Sequence, residues 1–235
     1  YTGVKMKVGR NQTSMNPLEV MPDPEYNYTL TEDLERVEAV RKAVGNDVRL
    51  LVDANAAWDL HTALVMGRHF DRLGVYLMEE PLCTDDLYAS AALAEQLDLN
   101  IAGYETEQLV YNFERLVSNK CIDIVQPDLS WAGGITECRK IANLAYAFHK
   151  PVALHCFSSA VLLASSLHFL CAIPNAGMLE MDQNRNGLRQ DIVKEEIAID
   201  SDGFVTAPEK PGLGIEIDED AIQKYKVEDG EAIAN

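Results

Sequence analysis

Leu50-Leu-Val-Asp53, Val75-Tyr-Leu-Met-Glu79 and Asn100-Ile-Ala-Gly-Tyr-Glu105 are three apolar runs, each ending on an acid. The acids are evenly spaced, 26 residues from Asp53 to Glu79 and 26 from Glu79 to Glu105. A strand, a turn, a helix and a second turn need about that length, so each acid holds the same place in a βα unit. Parallel strands bring their C-terminal ends to one side of a sheet. Three carboxylates converging there are tolerable only if a cation neutralises them.

Working outward, the alternation continues in both directions. Residues 1–9 read as a strand with Val4, Met6 and Val8 alternating against Lys5 and Lys7. Residues 10–29 are polar and lack a period, as in a long loop or lid. A helix is expected from Thr31 as N-cap, with Leu34, Val37, Val40 and Val44 on one stripe and Gly45 at its end. Further helices are expected at 60–73, 85–97, 110–118, 135–148 and 160–171, with Asp59 and Asp85 as caps. Strands are expected at 48–53, 75–79, 100–104, 122–126, 152–155 and 178–181, making seven in all. Near-continuous apolar strands alternating with helices indicate a parallel α/β sheet, with a TIM-like barrel as the leading closure. From Gly203 the chain is rich in Pro and Gly, then acidic, and reads as a hairpin or loop followed by a small helix at Glu219–Tyr225.

Composition narrows the function. The 235 residues carry 38 acids against 20 Lys plus Arg, a formal charge of −18, which repels a phosphate backbone and argues against nucleic acid. An anionic small substrate would need local cations to offset that field. No apolar run approaches about 20 residues, so no membrane span is expected. No basic-then-apolar leader opens the sequence. Five Cys without a CxxC pair read as reduced thiols, which points to the cytoplasm.

The spacing also extends beyond Glu105. The next apolar runs end at Asp128, His155 and Glu180, at intervals of 23, 27 and 25 residues. With Lys5 and Lys7 before them, every strand delivers an ionisable residue to one rim, where barrel active sites lie. Singly these residues have ordinary explanations: acids after strands cap helices, and Glu80 can be solvated or paired. His61, His149 and His168 read as structural or exposed. His155 differs, because it closes an apolar strand beside Asp128, and an Asp fixes a histidine's tautomer and raises its basicity. Lys5 and Lys7 lie two apart and point to one face. On an interior face their mutual repulsion would lower a lysine pKa toward the range of a base.

The set K-x-K (Lys5, Lys7), V-D-A-N (Asp53, Asn55), E-E-P (Glu79, Glu80), G-x-E (Glu105), Q-P-D with W-A-G-G-I-T (Asp128) and a strand-ending His155 resembles the mandelate racemase subgroup of the enolase superfamily. The resemblance covers nearly the whole chain. It implies a (β/α)7β barrel with a mostly N-terminal α+β capping domain, of which this chain would lack the capping domain and the first barrel strand. Residues 1–202 would then be barrel strands 2–8 with their helices, and 203–235 a tail packing on the capping domain. It also implies one Mg2+ on Asp53, Glu79 and Glu105, proton abstraction α to a carboxylate through an enediolate, and a homo-oligomer. Lys7 would be one base, His155 oriented by Asp128 the opposite acid or base, and Lys5 an electrostatic aid. Glu180 would be a protonated hydrogen-bond donor to the substrate carboxylate. Asn55 is a candidate substrate or supporting contact. The motif departs from the common G-E-N or G-E-H at Gly103-Tyr104-Glu105, which leaves Glu107 as a competing ligand.

Dehydration of an acid sugar is the expected outcome, with racemisation or epimerisation of a 2-hydroxy acid as the alternative and a non-catalytic metal-binding barrel as the reading from another class. A Zn2+ hydrolase would want several His ligands, and only five His are available. Arg10, Asn11, Tyr26 and Tyr28 in the first loop, and Asp182, Asn184 and Arg185 after Glu180, are candidate substrate contacts.

Overall fold

The structure is a computed structural model that describes residues 1–10 and 29–226. The expected contacts at Asn11, Tyr26 and Tyr28 lie outside the described residues. Strands β1 (Gly3–Lys7), β2 (Arg49–Asp53), β3 (Val75–Glu79), β4 (Asn100–Gly103) and β5 (Ile124–Val125) form one sheet in sequence order. Every pairing within it is parallel. Helices α1 (Leu30–Val44), α2 (Leu60–Arg72), α3 (Leu87–Gln96), α4 (Leu109–Ser118), α5 (Gly134–Ala147) and α6 (Ala160–Ala172) follow the strands. Two short helices, α7 (Gly187–Gln190) and α8 (Glu219–Tyr225), come last.

The sixth and seventh expected strands reduce to single parallel bridges, Val125 to Val152, Asp128 to His155 and Val152 to Ala176. Two prolines explain the thin ladder, since Pro127 and Pro151 have no N–H to donate and serve only as acceptors, from His155 and Val125. The last pairing falls at Ala176 and Gly177 rather than at 178–181.

Register does most of the work of positioning. Lys7 pairs with Asp53, Asp53 with Glu79, and Glu79 with Ala102, so one row of the sheet carries the chemistry. One pleat back, Lys5 pairs with Leu51 and Leu51 with Leu77. Leu77, Ala102 and Ile124 form a small apolar cluster with Leu51 and Ala153 on that inner face. Leu50, Val52, Met78 and Ile101 alternate to the other face and pack in the larger core with Phe70, Phe113, Leu116 and Ile141. An interior filled by side chains below a rim of polar ends is the layering of a parallel barrel.

Local corrections concern caps. The N-cap of α1 is Thr29, whose side chain accepts from Glu32 N while Glu32 reaches back to Thr29 N, so Thr31 lies inside the first turn. The cap of α3 is Asp86, not Asp85. Asp59 caps α2 as expected. In the tail, Val193 bridges Ile217 in antiparallel fashion, and Ile215, Ile217, Ile222 and Tyr225 pack with Ala160, Ile192 and Val193. Among the described residues no helix is long and apolar enough to cross a membrane.

Candidate functional site

Asp53 and Glu79 end β2 and β3, and Glu105 follows β4 by two residues. All three are buried, at 0%, 0% and 4% exposure, and each offers an oxygen within 4.8 Å of the others'. Burying three carboxylates side by side is costly without compensation. Burial first, then the charges of Glu80, Asp53 and Glu79, hold the Glu105 carboxyl far above the usual range. No donor among the described residues reaches Glu79 Oε1 or Glu105 Oε2. Buried orphan oxygens converging on one point, all hard donors, fit a divalent cation of the Mg2+ type. Glu107 is not a member of this group; it lies on the loop before α4, where burial and then Asp85 raise its carboxyl.

Two lysines brace the acids from β1. Lys5 Nζ donates to Glu79 Oε2 at 2.6 Å and pairs with Glu180. Lys7 Nζ pairs with Asp53 and donates to Asn55 Oδ1 at 2.7 Å, an oxygen that also accepts from Arg10 Nη2 at 3.0 Å. The expected lowering of a lysine pKa does not occur. Burial, the largest single influence on Lys5, pulls it down, but Glu79, Glu180 and Asp53 together hold it well above the ordinary value. Lys7 behaves alike: burial lowers it, Asp53 outweighs burial, and the repulsion from Lys5 is a smaller contribution. Both are therefore ammonium counterions of the cluster.

On the other side, His155 Nδ1 lies 2.7 Å from Asp128 Oδ2, and His155 Nε2 lies 3.6 Å from Glu105 Oε1. Burial pushes the Asp128 carboxyl up, but hydrogen bonds from His155 and Ser130 bring it below its ordinary value. An ionised Asp128 accepts, so Nδ1 carries the proton and Nε2 is presented toward the cluster. Glu180 accepts from Cys156 N at 2.9 Å through one oxygen and pairs with Lys5 through the other. Both oxygens are engaged as acceptors here, not in the donor role that the resemblance implies for Glu180. Arg185 is exposed, near Asp191, while the neighbouring Arg189 pairs with Asp182.

Sequence reasoning missed the surroundings of His155. The Trp131 ring centre is 5.7 Å from the imidazole and that of Phe157 is 6.4 Å away, and both side chains are about half exposed at the rim. Phe157 also lies 6.0 Å from Lys7 Nζ, so one ring borders both candidate bases. Trp131 stands inside the W-A-G-G run and was legible as a motif residue, whereas nothing in the sequence marked Phe157. Glu80, buried at a positive φ of 40°, accepts from Glu105 N at 3.1 Å and thereby fixes the backbone of Glu105.

Comparison with known proteins agrees with this geometry. A family model described as "Enolase C-terminal domain-like" matches residues 1–221. Arabinonate dehydratase of Saccharolobus solfataricus is 38% identical over 96% of this chain and 56% of its own length. The crystal structure of the 3,6-anhydro-D-galactonate cycloisomerase from Zobellia galactanivorans superposes with a TM-score of 0.84 at 30% identity, covering 96% of this chain and 58% of that one. L-Talarate dehydratase from Polaromonas sp. JS666, solved with Mg and L-glucarate, gives a TM-score of 0.78 at 32% identity over 94% of this chain and 55% of that one. The chain thus spans about half the length of the curated relatives it matches.

Proposed function

We propose, from the premise that this chain belongs to the enolase C-terminal domain-like family, that the protein containing it is an acid-sugar dehydratase that removes the proton α to a carboxylate and expels the β-hydroxyl as water. The observation that carries this reading is the opposed placement of Lys7 and His155 about three buried carboxylates. Lys7 borders the Asp53 end and His155 Nε2 the Glu105 end. Asp53, Glu79 and Glu105 would hold Mg2+. What the ion supplies when bound is positive charge, which offsets the three carboxylates, loosens their hold on the lysine protons and favours an anionic substrate.

The chain's own residues do the rest. A substrate carbon lying between Lys7 Nζ and His155 Nε2 is open to a base on either face. His155, with Nδ1–H held by Asp128, has Nε2 free to take a proton from carbon or give one to the departing hydroxyl. Lys5 offers positive charge to the substrate carboxylate next to Glu180. Trp131 and Phe157 cover the rim side of the imidazole and reduce its access to water. The names of the relatives favour sugar acids as the substrate class, because the dehydratases among them are named for arabinonate, xylonate, galactonate and talarate or galactarate.

The test is a panel of aldonic and aldaric acids offered to the full-length protein with Mg2+, read by formation of a 2-keto-3-deoxy acid and by uptake of solvent deuterium. His155→Asn should abolish dehydration while the protein stays folded. Undiminished turnover in that variant would sink the assignment. A second reading, epimerisation of a 2-hydroxy acid, is favoured by the same two-sided geometry. It predicts deuterium at the α-carbon of both epimers with no loss of water.

A further inference from the structure

We propose that Ser130 is a positioning residue that aims His155 through Asp128, an inference that rests on reading His155 as the acid–base group. The two oxygens of Asp128 have separate tasks. Oδ1 accepts the backbone N–H of Ser130 at 2.6 Å and also the Ser130 hydroxyl. Oδ2 faces His155 Nδ1 at 2.7 Å. The terminal torsion of an aspartate is soft, so a carboxylate held only by the imidazole could swing and present either oxygen at a range of angles. Two donors on Oδ1 remove that freedom and leave Oδ2 aligned with the ring.

The backbone supports the same arrangement. Trp131 N and Ala132 N both donate to Asp128 O, at 3.2 and 2.8 Å, which anchors the turn carrying the serine. His155 N donates to Pro127 O at 3.2 Å, which ties the histidine's own segment to the residue before Asp128. Asp128 is 1% exposed, so its carboxylate relies on these protein donors. Ser130 itself is exposed, and its effect on the chemistry passes through the orientation of Asp128. Charge-assisted hydrogen bonds of this kind are stronger than neutral ones, and groups that orient a functional histidine commonly cost about tenfold or more in activity when removed.

Ser130→Ala and Ser130→Thr, made in the full-length protein with Mg2+, separate a hydroxyl effect from a loop effect. The first readout is the ring 15N spectrum of His155 in protein labelled at histidine, with the signal identified by its loss in His155→Asn. The second is the split of kcat from KM. The expected result is that Ser130→Ala admits the Nε2–H tautomer and lowers kcat about tenfold with KM nearly unchanged, and that Ser130→Thr restores both. A wild-type ring spectrum in Ser130→Ala overturns the proposal whatever happens to the rate. So does a threonine variant as impaired as the alanine one, because that assigns the effect to the turn and not to the hydroxyl. If the wild-type protein turns over no acid sugar, the functional reading fails, and the ring spectrum still decides the role of Ser130.

Discussion

Glu105 gathers the most consequences at the scale of single residues. In the folded chain its carboxyl is held far above the ordinary 4.5 by burial and by Glu80, Asp53 and Glu79, whereas in the unfolded chain it titrates normally. The folded state therefore binds a proton that the unfolded state releases as pH rises above the ordinary value. Stability must then fall with rising pH through the window that begins there, because the native state binds the extra proton. A cation in the cluster has to displace that proton. With Mg2+ removed, the protein should lose stability as pH rises from about 4.5 toward about 11, and Mg2+ should restore more of it the higher the pH. Chemical denaturation with and without the ion, with calorimetry in buffers of different ionisation enthalpy to count released protons, checks both statements. Glu105→Gln should flatten the pH dependence and weaken Mg2+ binding at least tenfold.

At the scale of elements, the site depends on how β1 is seated against α1 and the loop after β2. Gly9, at φ 72°, sits where an added Cβ would come within 2.7 Å of Ala57 Cβ, and its N–H donates to the fully buried Asp33 of α1 at 2.7 Å. Asp33 also accepts from Arg36 at 2.8 Å. Asp33→Ala would leave the Gly9 N–H without its partner and should cost about 1–3 kcal/mol in denaturant unfolding, with a further loss of activity because β1 carries Lys5 and Lys7. This connection was illegible in the sequence, because an acid in the first turn of a helix is ordinarily accounted for by the helix dipole alone. The strands themselves were legible. Leu50–Asp53, Val75–Glu79 and Asn100–Gly103 are continuous apolar runs, and a buried parallel strand has no other way to be written. The acids at their ends were legible because a parallel sheet converts equal spacing into common position. Ladder length was not, since it depends on where Pro127 and Pro151 withhold a donor. Nor were the caps of α1 and α3, because Thr29 and Thr31, or Asp85 and Asp86, are equally competent by type and only the path of the incoming chain chooses between them. Partners set by tertiary approach, such as Phe157 beside Lys7, leave no periodic trace.

At the scale of the whole molecule, a chain of net charge −18 presents an acidic cluster at the end of its sheet, so the anionic substrate proposed for it would approach against that field. Lys5 spans the structure here, joining β1 to Glu79 on β3 and to Glu180 far along the chain, while Tyr1 donates to Gln183 at 2.7 Å near the other end of β1. These contacts tie the first and last segments of the arc through side chains rather than through a continuous ladder. The pairing of Lys7 with Asp53 has a further consequence, one of competition. The ammonium groups are placeholders: they occupy the carboxylates that a divalent ion would claim, and two like charges then share the cluster once that ion arrives. On the proposed function, this pairing sets proton transfer by Lys7 against affinity for the ion. Lys7→Met should abolish proton transfer and yet bind Mg2+ several-fold more tightly in calorimetry, at the expense of a less stable protein when the ion is withheld. Equal or weaker affinity in that variant would mean that the lysine organises the ligands more than it opposes the ion. If Asp53, Glu79 and Glu105 hold the ion as proposed, the site trades tightness for readiness, kept assembled by its own cations until a stronger one replaces them.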